Sequence, residues 1–243
     1  MAELVLSLFP GIGLLDRAFE EAGFCVVRGP DLLWGGDVRR FHAPAGRFDG
    51  VIGGPPCQAH SSFAGFVRQA GHTPACDLIP EFARVVEEAA PAWFLMENVR
   101  SAPSPATPSY GQTRLLVNAR HVGSPQHRVR AFVFGQRGAD APRFHVETEA
   151  LEPFDWCNTV LASGGVKPGT EGRRGSRRGN EYGYHGAKAL AHALEAQGLP
   201  PDFLAEAPFT NAGKFRVVGN GVPLPLGRAI AAAVRNAVAG GGP

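Results

Sequence analysis

Hydrophobic positions along the chain alternate between short apolar runs and runs at helical spacing. Leu4 to Phe9 is apolar and closes on Pro10-Gly11-Ile12-Gly13. Leu14, Leu15, Ala18, Phe19 and Ala22 then fall on one face of a helix that Gly23 ends. Phe24 to Val27 reads as a second strand, and the pattern repeats. Phe48 to Ile52 predicts a strand, Leu78 to Ala90 an amphipathic helix, and Trp93 to Met96 a strand leading into Glu97-Asn98-Val99. Val129 to Phe134 predicts a further strand, and Leu224 to Val238 an Ala-rich helix with proline in its first turn. This alternation predicts an α/β fold: a mostly parallel sheet with right-handed crossovers and helices on both faces. Residues 138 to about 188 are rich in Gly, Pro and Arg, lack periodicity and read as an irregular insertion. The chain is thereby divided into 1–137, 138–188 and 189–243.

At 243 residues the chain is long enough to bury one sizeable core. With 44% hydrophobic and 19% charged residues, its composition is that of an ordinary globular domain. No apolar run approaches the length of a membrane helix, and Met1-Ala2-Glu3-Leu4 lacks the layout of a signal peptide. Cys25, Cys57, Cys76 and Cys157 are scattered, which argues against a disulfide framework or zinc site and for a reducing cytoplasm. His60, His72 and His127 lack ligand spacing, so no metal is assigned. A net charge of +2 does not by itself indicate a polyanionic partner. Its distribution says more: Arg173-Arg174 and Arg177-Arg178 form one tight cluster, whereas Lys occurs only at Lys167, Lys188 and Lys214. Arginine forks suit phosphates and guanine edges, although GC-rich coding also raises arginine content.

Two loops carry candidate chemistry. Gly53-Gly54-Pro55-Pro56-Cys57-Gln58 follows a buried strand, which the two prolines should stop. The glycines would let another molecule approach the backbone, and a stiff loop would hold one thiol at a carboxyl strand edge. Cys57 is then either a nucleophile or a buried structural cysteine. Gly11-x-Gly13 brings bare backbone and a helix N-terminus toward a ligand, and Asp31, 20 residues on, lies where dinucleotide folds place a ribose-binding acid. Asp16 replaces the third glycine of that fingerprint.

The order of these pieces resembles the DNA (cytosine-5) methyltransferases, in a compact prokaryotic or phage-like form. Leu8-Phe9-Pro10-Gly11-Ile12-Gly13 looks like the family's cofactor motif, and Gly36-Asp37-Val38-Arg39 like its adenine-contacting motif. Pro55-Pro56-Cys57-Gln58 matches the nucleophile loop and Glu97-Asn98-Val99 the catalytic acid motif. Gln126-His127-Arg128-Val129-Arg130 fits the Q-x-R-x-R motif, and Gly219-Asn220-Gly221-Val222-Pro223 the C-terminal cofactor motif. The chain departs from the pattern at Ser7, where the family usually has Asp, at His60-Ser61, and at Arg28-Gly29-Pro30-Asp31. Asp37 is therefore favoured over Asp31 as a cofactor contact.

The resemblance implies a Rossmann-like S-adenosylmethionine-dependent methyltransferase fold and a small target-recognition segment at 138–188. It implies methyl transfer from S-adenosylmethionine to cytosine C5 in double-stranded DNA, on a flipped-out base. Cys57 would add to C6, Glu97 would hydrogen-bond N3 as an acid, Asn98 would brace the Pro-Cys loop, and Pro56 would present its carbonyl to the C4 amino group. Arg130, with Arg128 beside it on one strand face, would hold O2 and a nearby phosphate. Phe9, Gly11, Ile12, Gly13, Asp31, Asp37, Val38, Asn220 and Val222 would bind the donor. Gln58, Ser61, Gln126, Arg173, Arg174, Arg177 and Arg178 would meet nucleic acid. The implied protein is a monomer, with a cognate restriction endonuclease as an open companion. Three alternatives stay open: the same chemistry on RNA, a non-catalytic DNA-binding relative, and a pyrimidine-nucleotide enzyme.

Overall fold

The computed structural model describes residues 2–56, 76–149, 157–162 and 187–240. Strand β1 (Leu4–Leu8) leads through the glycine turn into helix α1 (Leu14–Glu21) and strand β2 (Cys25–Arg28). Two single-turn 3₁₀ segments follow, then β3 (Gly50–Gly53), α2 (Ile79–Ala89) and β4 (Trp93–Val99). A long hairpin comes next: β5 (Tyr110–Asn118), the short β6 (Gln126–His127) and β7 (Val129–Arg137). Beyond it lie β8 (Cys157–Asn158), α3 (Ala187–Ala196), α4 (Asn211–Asn220) and α5 (Leu224–Ala239).

Six strands form one sheet in the order β2-β1-β3-β4-β7-β5. The first four are parallel, β7 is antiparallel to β4, and β5 is antiparallel to β7. The expected α/β fold is thus observed as a mixed, mostly parallel sheet. Strand β5 was not expected from the sequence; Arg114 and Leu116 face outward on this edge strand, so it lacks a continuous apolar run. β6 and β8 pair separately.

The period-two alternation of the central strands divides the core between two faces. Val5, Ile52, Trp93, Leu95, Phe132 and Phe134 point to α1 and α5, against Leu15, Phe19, Leu226, Ile230 and Val234. Leu6, Leu8, Val51, Phe94, Met96 and Val133 point to α2, against Phe82, Val85 and Val86. A third cluster joins α3 and α4 to Leu14 and Ala18 of α1, with Cys157 and Val160 inside it. The described parts of the segment read as an insertion are therefore knitted into the body. Phe144 stacks on Phe134 with ring centroids 5.0 Å apart, and Val146 shares that core.

The stretch Asn211–Ala239 is long and apolar enough by composition to span a membrane, although no single run suggested one. It is two helices broken at Gly221-Val222-Pro223, with two-thirds of its most apolar window buried in the core.

Close packing around Trp93 fixes one glycine. A Cβ on Gly50 would overlap the Trp93 indole on the neighbouring strand. Gly50→Ala is expected to cost about 1–3 kcal/mol by overpacking, and Trp93→Phe in the same chain to recover part of that loss. Urea unfolding of the two single variants and the double variant checks this; strict additivity would show that the contact is not the cause.

Candidate active site

Topology gathers the site. The carboxyl ends of β1, β3 and β4 share one sheet edge, and antiparallel β7 brings its amino end there as well. At this edge lies a cavity of about 560 Å³. Phe9, Gly11, Ile12, Asp31, Asp37, Val38, Pro56, Glu97, Arg128, Arg130, Asn220 and Val222 all line it, so most of the residues picked from sequence meet in one place. Gly13 is buried beside it but does not line it. Cys57, Gln58, Ser61, Arg173, Arg174, Arg177 and Arg178 lie outside the described residues.

Glu97 continues the β4 alternation and is 9% exposed. Its Oε1 lies 3.1 Å from Arg130 Nε, reached diagonally because Val99, not Glu97, pairs with Arg130 across the sheet. The ion pair favours the charged carboxylate, but burial is the larger effect and holds the Glu97 pKa above the usual carboxylate range. Asn98 Nδ2 donates to the Pro55 carbonyl at 3.1 Å, which fastens the start of the proline stretch to β4. The two glycines before it have a structural use. A Cβ on Gly53 would press on the Leu8 carbonyl and Phe82, and one on Gly54 would come 3.2 Å from Glu97 Oε2. They admit the protein's own close neighbours, and both also line the cavity.

The Q-x-R-x-R segment does not form one strand face, because the β6–β7 break falls at Arg128. Arg128 is 2% exposed, and its fork donates to the carbonyls of Val160 at 3.2 Å, Gly219 at 2.9 Å and Gly221 at 3.2 Å. It is thus engaged with the end of α4 and the 157–162 segment, not poised beside Arg130 for a base and phosphate. Gln126 is likewise no nucleic-acid contact. It is fully buried, donates to Ala196 O and accepts from Val160 N. Gln197, which sequence reading missed, completes this set: buried, it donates to Val218 O at 2.6 Å. Helix ends leave carbonyls without intrahelical partners, and here Arg128 and Gln197 supply the donors. The only sequence signal for Gln197 was a polar residue directly after an Ala- and Leu-rich run.

At the other end of the cavity the backbone is bent hard. Phe9 has φ 58°, Gly11 57° and Gly13 77°, a left-handed conformation that glycine adopts freely and Phe9 only when held by its surroundings. Asp31 holds the turn: Oδ2 accepts from Gly11 N at 2.8 Å and Oδ1 from Leu33 N at 2.7 Å. Trp34, another missed residue, donates its indole N–H to Gly11 O at 2.7 Å. Asp37 is forked by Arg39, which lowers its pKa to about 2. The preference for Asp37 over Asp31 has no support in this geometry, since of the two acids only Asp31 bonds the glycine turn. Beneath the turn, Ser7 Oγ donates to fully buried Asp16 at 2.5 Å, and Arg28 Nε lies 3.0 Å from the other oxygen. Burial raises the Asp16 pKa against both partners.

The model of the family C-5 cytosine-specific DNA methylase matches residues 35–167. The type II methyltransferase M.FnuDI of Fusobacterium nucleatum is 32% identical over 162 residues, covering 55% of this chain and 46% of that protein. M.AquIA of Picosynechococcus is 31% identical over 183 residues, covering 56% of this chain and 73% of that protein. The chain spans about half the length of M.FnuDI and of M.NgoPII of Neisseria gonorrhoeae. Among solved structures, the Entamoeba histolytica methyltransferase EhMeth superposes with a TM-score of 0.64 at 12% identity, covering 98% of this chain and 99% of that one. The S. pombe Dnmt2 methyltransferase gives 0.63 at 13%, covering 96% and 99%. These likenesses show a shared fold.

Two outcomes follow from the geometry. Arg128→Ala removes the guanidinium donor from the Val160, Gly219 and Gly221 carbonyls, of which Gly221 O keeps only the longer bond from Gln197 at 3.4 Å, and is expected to cost about 2–4 kcal/mol in urea unfolding. Arg128→Lys should recover little, since one ammonium cannot span both chain segments; full recovery would refute the forked cap. Glu97, with its pKa raised, binds its proton more tightly in the folded protein than in the unfolded chain. Its contribution to stability is therefore greatest below the ordinary carboxylate pKa and is lost as pH rises through the raised value. Glu97→Gln should accordingly gain stability relative to the parent as pH rises above the ordinary carboxylate range. Identical pH dependence in the two proteins would contradict the burial effect.

Proposed function

Because the chain belongs to the C-5 cytosine-specific DNA methylase family, we propose that it transfers a methyl group from S-adenosylmethionine to C5 of a cytosine turned out of double-stranded DNA. The observation that carries this reading is the single cavity shared by buried Glu97, Arg130, the Asn98-braced proline stretch, the glycine turn and Asn220. Its volume, about 560 Å³, is that of a small-molecule site. Bare backbone at Gly11, the Phe9 ring and the acids Asp31 and Asp37 at one end fit a nucleoside. Phe9, Gly11, Ile12, Asp31, Asp37, Val38, Asn220 and Val222 would hold the donor. When bound, S-adenosylmethionine supplies a methyl group on a sulfonium.

The chain's own residues would do the rest. The Cys57 thiolate forms a bond to C6, and the displaced electron pair moves into the ring toward N3, which makes C5 enamine-like. Glu97 in its protonated form hydrogen-bonds N3 and relieves that charge, a task its raised pKa suits. Arg130, aligned by its pair with Glu97, presents its remaining N–H groups to the cytosine O2. Pro56 presents its carbonyl to the C4 amino group. C5 would then take the methyl group. Loss of the C5 proton to solvent, its electron pair re-forming the C5–C6 double bond as the Cys57 thiolate departs, would restore the aromatic ring. Arg173, Arg174, Arg177 and Arg178 would follow phosphates or read guanine, and a cognate restriction endonuclease is the companion expected from the likeness to type II methyltransferases.

Methyl incorporation into duplex DNA, with transfer RNA as the parallel substrate, tests the reading; activity on RNA alone would overturn the choice of DNA. Cys57→Ser is expected to abolish transfer while donor and duplex affinity stay within about twofold, and the parent protein should form a persistent covalent adduct with a 5-fluorocytosine duplex. A Cys57→Ser protein that still methylates would refute the covalent mechanism.

A further inference from the structure

Charged residues lining the cavity are partnered, with one exception. Asp16 is held by Ser7 and Arg28, Asp31 by the Gly11 and Leu33 amides, and Asp37 by Arg39. Glu97 and Arg130 hold each other, and Arg128 is engaged with carbonyls. Arg216 also lines this cavity, yet its side chain is exposed and makes no hydrogen bond or ion pair among the described residues. It stands on α4 four residues before Asn220, so both occupy one helix face at the cavity wall.

We infer that Arg216 binds an oxyanion that the reaction brings to the rim of the cavity. The inference rests on the proposed methyl transfer, whose reactants carry two such groups: the carboxylate of the donor's amino-acid end and the phosphate beside the turned-out nucleotide. A guanidinium is always charged and presents a planar fork that either oxyanion can accept, so the shared chemistry is charge-assisted, forked hydrogen bonding. The other cavity arginines are ill placed to provide it. Arg128 is buried, and a shift of Arg130 away from Glu97 would leave a buried carboxylate alone. Arg216 can move onto a ligand without breaking any bond seen among the described residues. It also stands on the helix whose last carbonyls Arg128 and Gln197 cap, so its Cα is fixed although its fork is not.

Binding by Arg216→Ala and Arg216→Lys tests this, each set beside the parent protein. Three probes are used: S-adenosylhomocysteine, 5′-methylthioadenosine (which lacks the carboxylate) and a cytosine-containing duplex over a range of salt. If the carboxylate is the ligand, Arg216→Ala weakens S-adenosylhomocysteine about tenfold, leaves 5′-methylthioadenosine unchanged, and Arg216→Lys recovers part of the loss. If the phosphate is the ligand, both small molecules bind as in the parent, while the duplex binds more weakly with a salt slope reduced by about 1. Either pattern supports the inference. Parent-like binding of all three probes overturns it, and so does equal weakening of all three, which marks general damage to the wall. A parent protein that binds neither S-adenosylhomocysteine nor duplex instead refutes the proposed function, and this inference falls with it.

Discussion

One buried guanidinium sets the geometry on which the site depends. Arg128 joins Val160 in one chain segment to Gly219 and Gly221 in another, with 2% of its surface exposed. A charge in such a place is tolerated only when its hydrogen bonds are made, and the end of a helix offers carbonyls that need donors. The two requirements answer each other. The packing agrees: a Cβ on Gly219 would run into the backbone at Leu161 and Ala162, so the two segments touch without side chains between them. Gln197 adds a donor to Val218 O from its side chain, and its own carbonyl accepts from Leu224 N, fixing the start of α5. The turn carrying Asn220 and Val222 to the cavity is held by the side chains of Arg128 and Gln197.

At the other wall, burial and charge pull against each other. The carboxyl of Glu97 faces Arg130, with Arg128 also near enough to favour its charged form, and burial still outweighs both. A carboxyl in that balance binds its proton more tightly than an exposed one, beside a cation that orients it. Asp16, at the base of the same cavity, shows the same balance. Its burial also outweighs its hydrogen bond from Ser7 and its pair with Arg28. It holds the β1 and β2 ends together beneath the glycine turn, where Gly13 adopts a left-handed φ of 77° beside the Arg28 guanidinium.

The sequence made the central layers legible because both periods were strong. β1, α1, α2, β4 and α5 fall within a residue or two of expectation, apart from the extension of β4 through Glu97-Asn98-Val99. β5 was hidden because an edge strand alternates weakly, and α3 and α4 because their apolar faces serve a satellite cluster rather than the main sheet. Among site residues, those whose backbone or charge faces the cavity were readable: Gly11, Asp31, Glu97, Arg130 and Asn220. Arg128 and Gln126 were misread for a physical reason. A motif spacing shows which residues share a neighbourhood, but not whether a polar side chain looks outward to a ligand or inward to a carbonyl. Trp34 and Gln197 were missed by the same rule, since each acts on the backbone of a loop far away in sequence.

The glycine-turn end of the cavity is built from little regular structure. β2 is an edge strand of four residues, and the chain returns to β3 through two 3₁₀ turns rather than a helix and another strand. Side chains do the work that a longer element would do. Asp31 caps the first turn and reaches back to Gly11, the Trp34 indole clasps the same residue, and Asp37 caps the second turn while Arg39 neutralises it. This leaves Leu32 and Trp34 well exposed, at 63% and 59%. Asp31 and Trp34 therefore restrain a left-handed Gly11 from its amide and its carbonyl at once. A turn pinned from both sides needs no extra strand to hold its shape. This end of the fold thus keeps a wall for the cavity of about 560 Å³ with side-chain bonds in place of longer elements.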